Sequence, residues 1–181
     1  RNTACAAAAL RLVAAHGPAC VEGSARPEDW LGLANGAGLA GVALENAGPG
    51  LAHRIAEALA PAARQPAARL MGVLLPHVLE ARAADDDSRL GDLLLPLEGL
   101  EIHAATPAPQ RAGQVLARLR ELVVRFYLAT GGRAPRTLED AGLPAEALEA
   151  AAGAGEGEAE QAFCRRVLAA AWTANPDGKR E

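Results

Sequence analysis

Hydrophobic residues recur along this chain with the 3.6-residue period of α-helices rather than with the strict alternation of strands. The clearest case is residues 51–60, where Leu51, Ile55 and Leu59 follow one another at i, i+4 and i+8. The same period gives an apolar face in two further segments, which carry Leu116, Leu119, Val123, Phe126 and Tyr127 at 108–129 and Phe163, Val167 and Ala171 at 158–173. The pattern therefore predicts three amphipathic helices, each with one face directed toward a core.

Proline and glycine indicate where the remaining elements begin and end. They predict helices at 3–16 (stopped by Gly17-Pro18), at 27–46, at 67–83 (bent or restarted at Pro76), at 137–140 as a short capped helix, and at 144–152. Residues 90–106 fit either short helices or extended pieces, and Pro61 and Pro66 bracket a linker. The Asp85-Asp86-Asp87-Ser88 run is interpreted as a solvated turn or helix cap in preference to a metal site.

The predicted helix at 27–46 has an unusual glycine content. It contains Gly32, Gly36, Gly38 and Gly41. Each glycine costs up to about 1 kcal/mol relative to alanine inside a helix, so we expect another helix to pack closely there. The alternative is a break near Asn35-Gly36. The last three glycines imitate a dinucleotide-binding GxGxxG, but no strand precedes them, which favours the packing interpretation.

Composition supports a helical fold. Of the 181 residues, 45 are alanine and only 3% are aromatic. Alanine is the strongest helix former, whereas strands favour β-branched and aromatic residues. We therefore predict an all-α protein, with residues 1–181 forming one domain: a single helical bundle of about seven to nine helices, followed by a short tail at 176–181.

Charge, hydropathy and cysteine content narrow the function classes. A net charge of −4 and a pI near 5.6 argue against nucleic-acid binding, which needs a basic face. Uninterrupted apolar runs such as 73–75 are far shorter than the roughly 20 residues of a membrane span. Three widely spaced cysteines without a CxxC are typical of a reduced cytoplasmic protein. The first residue is Arg1 rather than Met, which we interpret as a cut or processed chain.

Candidate chemistry is sparse, because no two of the four histidines lie within four residues of each other. His53 and Glu57, at i and i+4, fit either a two-residue metal site or a helical ion pair, and periodicity favours the ion pair. His77 is expected in a core or capping position, while His16 and His103 are expected to be solvated at element ends. Cys164 is expected to be buried beside Phe163, despite flanking arginines that would lower its pKa if it were exposed.

Two motifs carry a family resemblance: Asn46-Ala47-Gly48-Pro49-Gly50-Leu51-Ala52-His53 and Leu74-Leu75-Pro76-His77-Val78-Leu79. In order and spacing they resemble the iron-dependent (group III) alcohol dehydrogenases, a family that includes the maleylacetate reductases. The similarity continues through Thr137–Gly142 to Thr173–Pro176 and covers about residues 5–175. It implies the all-helical C-terminal domain of a dehydrogenase whose other, Rossmann-like domain binds a nicotinamide cofactor.

The resemblance also implies roles for individual residues. In that family, one Asp and three His hold a divalent metal, usually iron, which polarises the substrate carbonyl. His53 matches a metal ligand, whereas Glu57 occupies the place of a substrate-side histidine. Ala67, fourteen residues after His53, occupies the place of another ligand histidine. His77 matches a histidine that is not a ligand, and the remaining Asp and His ligands would lie on a helix before Arg1. The only metal residue expected in this chain is therefore His53, in an incomplete site.

Three functional interpretations remain open. The first is a degenerate, non-catalytic helical domain acting in assembly or as a partner subunit, without a cofactor of its own. The second is a piece of an active oxidoreductase, in which Fe or Zn and NAD(P) would bind only after completion by an upstream domain or a nucleotide-binding partner chain. The third is a module that binds a protein through an alanine–glycine surface at 32–44, where leucine at Gly36 or Gly41 should disrupt packing. A homo-oligomer is compatible with all three.

Overall fold

The chain folds into α-helices, which bears out the predicted all-α class. The computed structural model describes residues 2–85 and 89–173. Its eight α-helices are α1 (Asn2–Glu22), α2 (Pro27–Ala47), α3 (Leu51–Ala63), α4 (Ala67–Asp85), α5 (Leu94–Ala105), α6 (Ala108–Ala129), α7 (Glu146–Ala152) and α8 (Gly157–Thr173), with a 3-10 turn at Gly91–Leu93. Within those described residues, the number of α-helices lies inside the predicted range of seven to nine, and no strand occurs. The acidic run at 86–88 and the tail after 173 lie outside the described residues.

The helices group into two compact units. Unit 1 comprises residues 1–48 and 86–118, and unit 2 comprises residues 49–85 and 119–181. Helix α6 contributes its first half to unit 1 and its second half to unit 2. The expectation of one domain over 1–181 stays a prediction, which a single cooperative unfolding transition would support.

Unit 1 is built around the packing of α1 against α2 and α5. The prediction that α1 stops at Gly17-Pro18 is wrong, because the helix continues to Glu22 with Pro18 inside it. A proline inside a helix costs about 3 kcal/mol through its lost hydrogen bond and ring clash. Gly17 and Pro18 are both buried, and the site of a Gly17 Cβ would be in van der Waals contact with Leu33 of α2. We attribute the continuation of α1 to this packing.

Helix α2 runs unbroken through all four of its glycines, so the alternative of a break near Asn35 is wrong. The glycines divide into two pairs. A Cβ at Gly32 would overlap His16 Cδ2, and one at Gly36 would lie 3.2 Å from Leu12 Cβ. A Cβ at Gly38 or Gly41 would have no neighbouring atom within 4 Å. Close packing therefore accounts for the first pair only, and the expected packing defect from leucine at Gly41 is corrected: that position has open space.

Unit 2 contains a large continuous hydrophobic core in which α3, α4, α7 and α8 pack on one another. The predicted stripe of α3 is buried as expected, with Ile55 and Leu59 fully inaccessible. Leu70 and Leu74 of α4 and Val167 of α8 meet them in the same cluster. Because this core extends along the whole of α3, the helix continues past Pro61 to Ala63 instead of ending in the predicted linker.

Several local predictions are refined by the structure. Residues 137–142 form a turn rather than the predicted helix, although Thr137 Oγ1 does accept the Asp140 amide at 2.9 Å. The ambiguous stretch at 90–106 is helical, with a kink at Gly99, where φ is +87°. The helix at 108–129 has the predicted bounds, but its apolar face is only half-buried, and its one fully buried residue is Val115.

Helix α1 as a whole is more apolar than the short uninterrupted apolar runs of the sequence suggest. Residues Thr3–Glu22 have a mean hydropathy of 1.4, so this one helix, among the described residues, is long and apolar enough to cross a membrane by length and composition. Core helices of soluble proteins and signal sequences have the same character, so this property alone is weak evidence.

Candidate functional site

The residues that the sequence singled out lie at the start of α3. The chain turns at Gly48, where φ is +73°, and α3 begins at Leu51. Because Leu51, Ala52 and Ile55 face the core, His53 and Glu57 fall on the outer side of the first two turns. His53 Nε2 lies 3.0 Å from Glu57 Oε1, with the two side chains 27% and 59% exposed. The predicted i, i+4 pair is therefore present as a partly exposed hydrogen-bonded pair.

Within residues 2–85 and 89–173, the side chains around His53 do not supply the donor set of a complete iron or zinc site. Catalytic metal sites use three or more protein ligands drawn from imidazole, carboxylate or thiolate. Ala67, the first residue of α4, supplies only a methyl group, which packs against the core of unit 2. No group of three or more His, Cys, Asp or Glu residues in 2–85 and 89–173 is arranged to hold a metal. The role of His53 as a ligand stays a prediction, since two adjacent donors do not test it.

Beside His53, Arg54 points into an ionic network that sequence reasoning missed. Arg54 Nη2 donates to Glu160 Oε2 at 2.8 Å, and Arg82 Nη2 lies 3.7 Å from the other carboxylate oxygen of Glu160. Glu160 also accepts the backbone N–H of Glu156 at 2.7 Å. That amide and the two guanidiniums hold the pKa of Glu160 below its ordinary value. The network connects the beginning of α3 to the beginning of α8. Sequence reasoning missed it because Arg54 and Glu160 are 106 residues apart in the chain.

Aromatic and thiol groups next to this network are structural in character. The guanidiniums of Arg82 and Arg166 lie 4.8 and 5.2 Å from the centroid of the Phe163 ring. Cys164 is fully buried, as predicted, and burial raises the pKa of its thiol, with the charge of Glu160 adding to the rise. Arg165 is directed instead to Glu149, at 2.9 Å. A protonated, inaccessible thiol is a poor nucleophile, so this cysteine does not form a reactive centre.

Sequence reasoning predicted a core or capping position for His77, and the structure places it inside α4. It follows the buried Pro76 inside α4 and is itself half-buried. Its burial lowers the pKa of the imidazole, while the carboxylate of Glu80 opposes that shift. Glu80 is held by Arg120 Nη2 at 2.6 Å. The side chain is thus favoured in its neutral form within a packed helix.

In unit 1, His16 contradicts the expectation of a solvated residue at an element end. It lies inside α1, and its Nδ1 is 2.9 Å from Asp29 Oδ1. The second oxygen of Asp29 accepts the Arg26 backbone N–H at 2.9 Å. These two hydrogen bonds, that of His16 foremost, lower the pKa of the buried Asp29 carboxyl. The error came from ending α1 at residue 16, which removed the neighbouring helix from consideration.

The chain was compared with known proteins by sequence, by family sequence profile and by fold. No curated protein sequence matches the chain significantly. A solved structure described as a crystal structure analysis of 1,3-propanediol oxidoreductase is similar in fold, with a TM-score of 0.78 at 20% identity. The match covers 94% of this chain and 45% of that one, so this chain spans less than half the length of that oxidoreductase. The sequence profile of the Fe-containing alcohol dehydrogenase family, C-terminal part, matches residues 2–165. With the helical architecture and the motifs around His53 and His77, this match establishes that the chain belongs to the Fe-containing alcohol dehydrogenase family, as its C-terminal helical domain.

Proposed function

We propose that this chain is a degenerate helical domain of the Fe-containing alcohol dehydrogenase type, which serves assembly or a partner protein and does not catalyse hydride transfer by itself. The observation that carries the proposal is the pair of positions 53 and 67. His53 is hydrogen-bonded to Glu57, and a methyl group stands at position 67, where the family resemblance expects an imidazole. A catalytic metal with fewer than three protein ligands is not held at a defined position.

The packing of α3 supports a scaffold role. Leu51, Ile55 and Leu59 anchor the helix in the core of unit 2, and Arg54 ties it to Glu160. These contacts position the segment without a bound ion. A domain stabilised in this way can lose its metal ligands and keep its fold, because hydrophobic burial supplies the main folding free energy.

Metal content and reductase activity of the native gene product, purified intact, test the proposal. After loading with Fe²⁺ or Zn²⁺ and desalting, we expect far less than one ion per chain and no aldehyde reduction with NADH or NADPH. Stoichiometric metal together with turnover that His53→Ala abolishes would overturn the proposal.

A gain-of-ligand variant tests the correspondence of position 67. Ala67→His should increase the affinity for Co²⁺, measured by its visible absorption, because the family resemblance places a metal ligand at this position together with His53. Ala68→His is the matched control, since residue 68 is the exposed neighbour on the same helix turn. Equal affinities of the two variants would show that position 67 does not face the site.

A second candidate is a subunit or portion of an active NAD(P)-dependent oxidoreductase of the alcohol dehydrogenase or maleylacetate reductase type. The specific support is the 45% coverage of the similar oxidoreductase, whose remaining part has no counterpart in this sequence. Intact mass and affinity co-purification of the native protein distinguish the two candidates. A longer product, or a stable complex with a nucleotide-binding polypeptide that reduces aldehydes, would favour the second. We place either form in the reducing cytoplasm, supported by the free thiols of Cys5, Cys20 and Cys164.

A further inference from the structure

Helix α4 carries a titratable side chain on its buried face. Leu70, Val73 and Leu74 of this face are buried in the core of unit 2. His77 follows them at seven, four and three positions, so it continues the same face of the helix, and it is half-buried. A neutral imidazole fits such a position, whereas a charged imidazolium has to be paired or hydrated there.

An ion pair between α4 and α6 flanks this histidine. Glu80, one turn after His77 on α4, pairs with Arg120 Nη2 at 2.6 Å. Residues three apart on a helix are neighbours, and the charges of both Glu80 and Arg120 act on the imidazole. The two side chains of the pair are 50% and 35% exposed. A half-buried titratable group therefore lies next to the ion pair that connects the two helices.

The part of α6 that this pair holds has little deeply buried surface. Both Glu80 and Arg120 belong to unit 2, together with the second half of α6. From residue 119 to residue 129 no position of α6 is fully buried, and the apolar side chains of Val123 and Phe126 are half-buried. Segments with few buried apolar contacts open locally at a lower free energy than the core does. A single ion pair can therefore influence how often this segment opens.

We propose that His77, Glu80 and Arg120 form a proton-controlled clasp that holds the second half of α6 on α4. While the imidazole is neutral, it stays in the buried face and Glu80 binds Arg120. When the imidazole is protonated, it competes with Arg120 for Glu80, repels the guanidinium and requires hydration, so this half of α6 loosens. The clasp lies within unit 2 and does not depend on the proposed function.

The direction of the pH dependence follows from the surroundings of the imidazole. Burial lowers the pKa of His77 below its ordinary 6.5, the Glu80 carboxylate opposes this shift, and the Arg120 guanidinium adds to it. The closed form therefore binds the proton less readily than an opened form in which the imidazole is solvated. The stabilisation of the closed form is complete above pH 6.5 and is lost as the pH falls through the folded-state pKa.

The other charged groups near α4 lie on a different side of the helix or are engaged elsewhere. Helix α4 packs on α3 and α8, and the charged network that it shares with them joins Arg54 and Arg82 to Glu160. Arg82 lies five positions after the histidine, about 140° further around the helix. On α6, Glu121 and Arg125 have interactions of their own. The two groups of the clasp are therefore the charges to vary.

Hydrogen exchange of the full chain, measured by mass spectrometry between pH 7.5 and pH 5.5, tests the clasp. Labelling times are scaled to the chemical exchange rate at each pH, and this range stays above the ordinary pKa of carboxyl groups. Opening that takes up one proton should accelerate the exchange of residues 119–129 by up to about tenfold per pH unit below pH 6.5, while α3 serves as the unchanged reference. No pH response at 119–129, or an equal acceleration in α3, would overturn the proposal.

Replacement of the imidazole tests which group responds to pH. His77→Gln should abolish the pH response of residues 119–129, because glutamine is polar but does not titrate. His103→Gln is the matched control, since it removes another histidine of a described helix, in unit 1, and should leave the response unchanged. A persistent response in His77→Gln, or its loss in His103→Gln, would contradict the clasp.

Two charge variants distinguish proton control from simple support by an ion pair, and they leave the histidine in place. Glu80→Gln and Arg120→Gln each break the pair, so both should accelerate the exchange of residues 119–129 at pH 7.5. Arg120→Gln removes the charge that repels the imidazolium, so the response to falling pH should shrink. Glu80→Gln removes the charge that attracts it, so the response should grow. Equal pH responses of the two variants would refute proton control.

Discussion

Substitution of Gly32 by alanine tests whether α1 and α2 are held together by direct contact at His16. The added Cβ would overlap His16 Cδ2 and lie 2.6 Å from His16 Nε2. The imidazole is fixed by its hydrogen bond to Asp29, so it has to move, and that movement breaks the bond. The methyl group therefore costs both packing and a hydrogen bond.

Two opposing contributions determine the size of the effect. Replacing glycine by alanine inside a helix stabilises it by about 1 kcal/mol. Overpacking of a tight contact costs about 1–3 kcal/mol. Gly38→Ala, on the open side of the same helix, should show the favourable contribution alone. We therefore expect the free energy of unfolding of Gly32→Ala to lie about 1–3 kcal/mol below that of Gly38→Ala.

Thermal and urea unfolding of the three proteins measure this difference directly. For a chain of this size, each kcal/mol corresponds to roughly 2–4 °C in Tm. The decisive control is the His16→Ala background, in which the imidazole is absent. There, Gly32→Ala should change sign and become stabilising. If Gly32→Ala destabilises equally with and without the imidazole, the contact between His16 and Gly32 does not determine the packing of these helices.

Three further predictions concern unit 2 and the thiols. The folded-state pKa of Glu160 lies below its ordinary value of 4.5. The ionised carboxylate therefore stabilises the folded protein fully above pH 4.5, and this contribution is lost as the pH falls through the folded-state pKa. The Tm difference between the wild type and Glu160→Gln should therefore shrink between pH 5 and pH 3; a constant difference would contradict the ionic network. Leu59→Ala should lower the free energy of unfolding by about 2–5 kcal/mol, whereas exposed Leu128→Ala should change it by less than about 0.5, as measured in urea. Ellman's reagent should modify half-buried Cys5 well before Cys164 in the native protein, and modify both at once in urea; early reaction of Cys164 would show that its surroundings open.

Helix periodicity made much of the fold accessible from sequence. The observed bounds of α6 agree with the prediction of about 108–129, and the buried stripes of α3 and α8 were identified, because one-sided burial leaves a 3.6-residue pattern. The errors lie where a long-range contact outweighs a local rule. The proline at position 18 predicts the end of a helix, yet α1 continues because residues 16 and 17 pack on α2. The segment at 137–142 carries a helix cap but remains a turn.

The candidate site divides in the same way. The sequence by itself determined the family motif, the i, i+4 relation of His53 to Glu57, and the methyl group at position 67, since each follows from residue identity and spacing. Only the tertiary structure decided that Arg54 bonds to Glu160 and that His16 bonds to Asp29, because partners that far apart along the chain leave no periodic trace. It also decided which glycines of α2 are packed and which lie open. The local hydrophobic pattern indicates which way a side chain faces on its own helix. Which residue of another helix it contacts depends on how the separate helices pack.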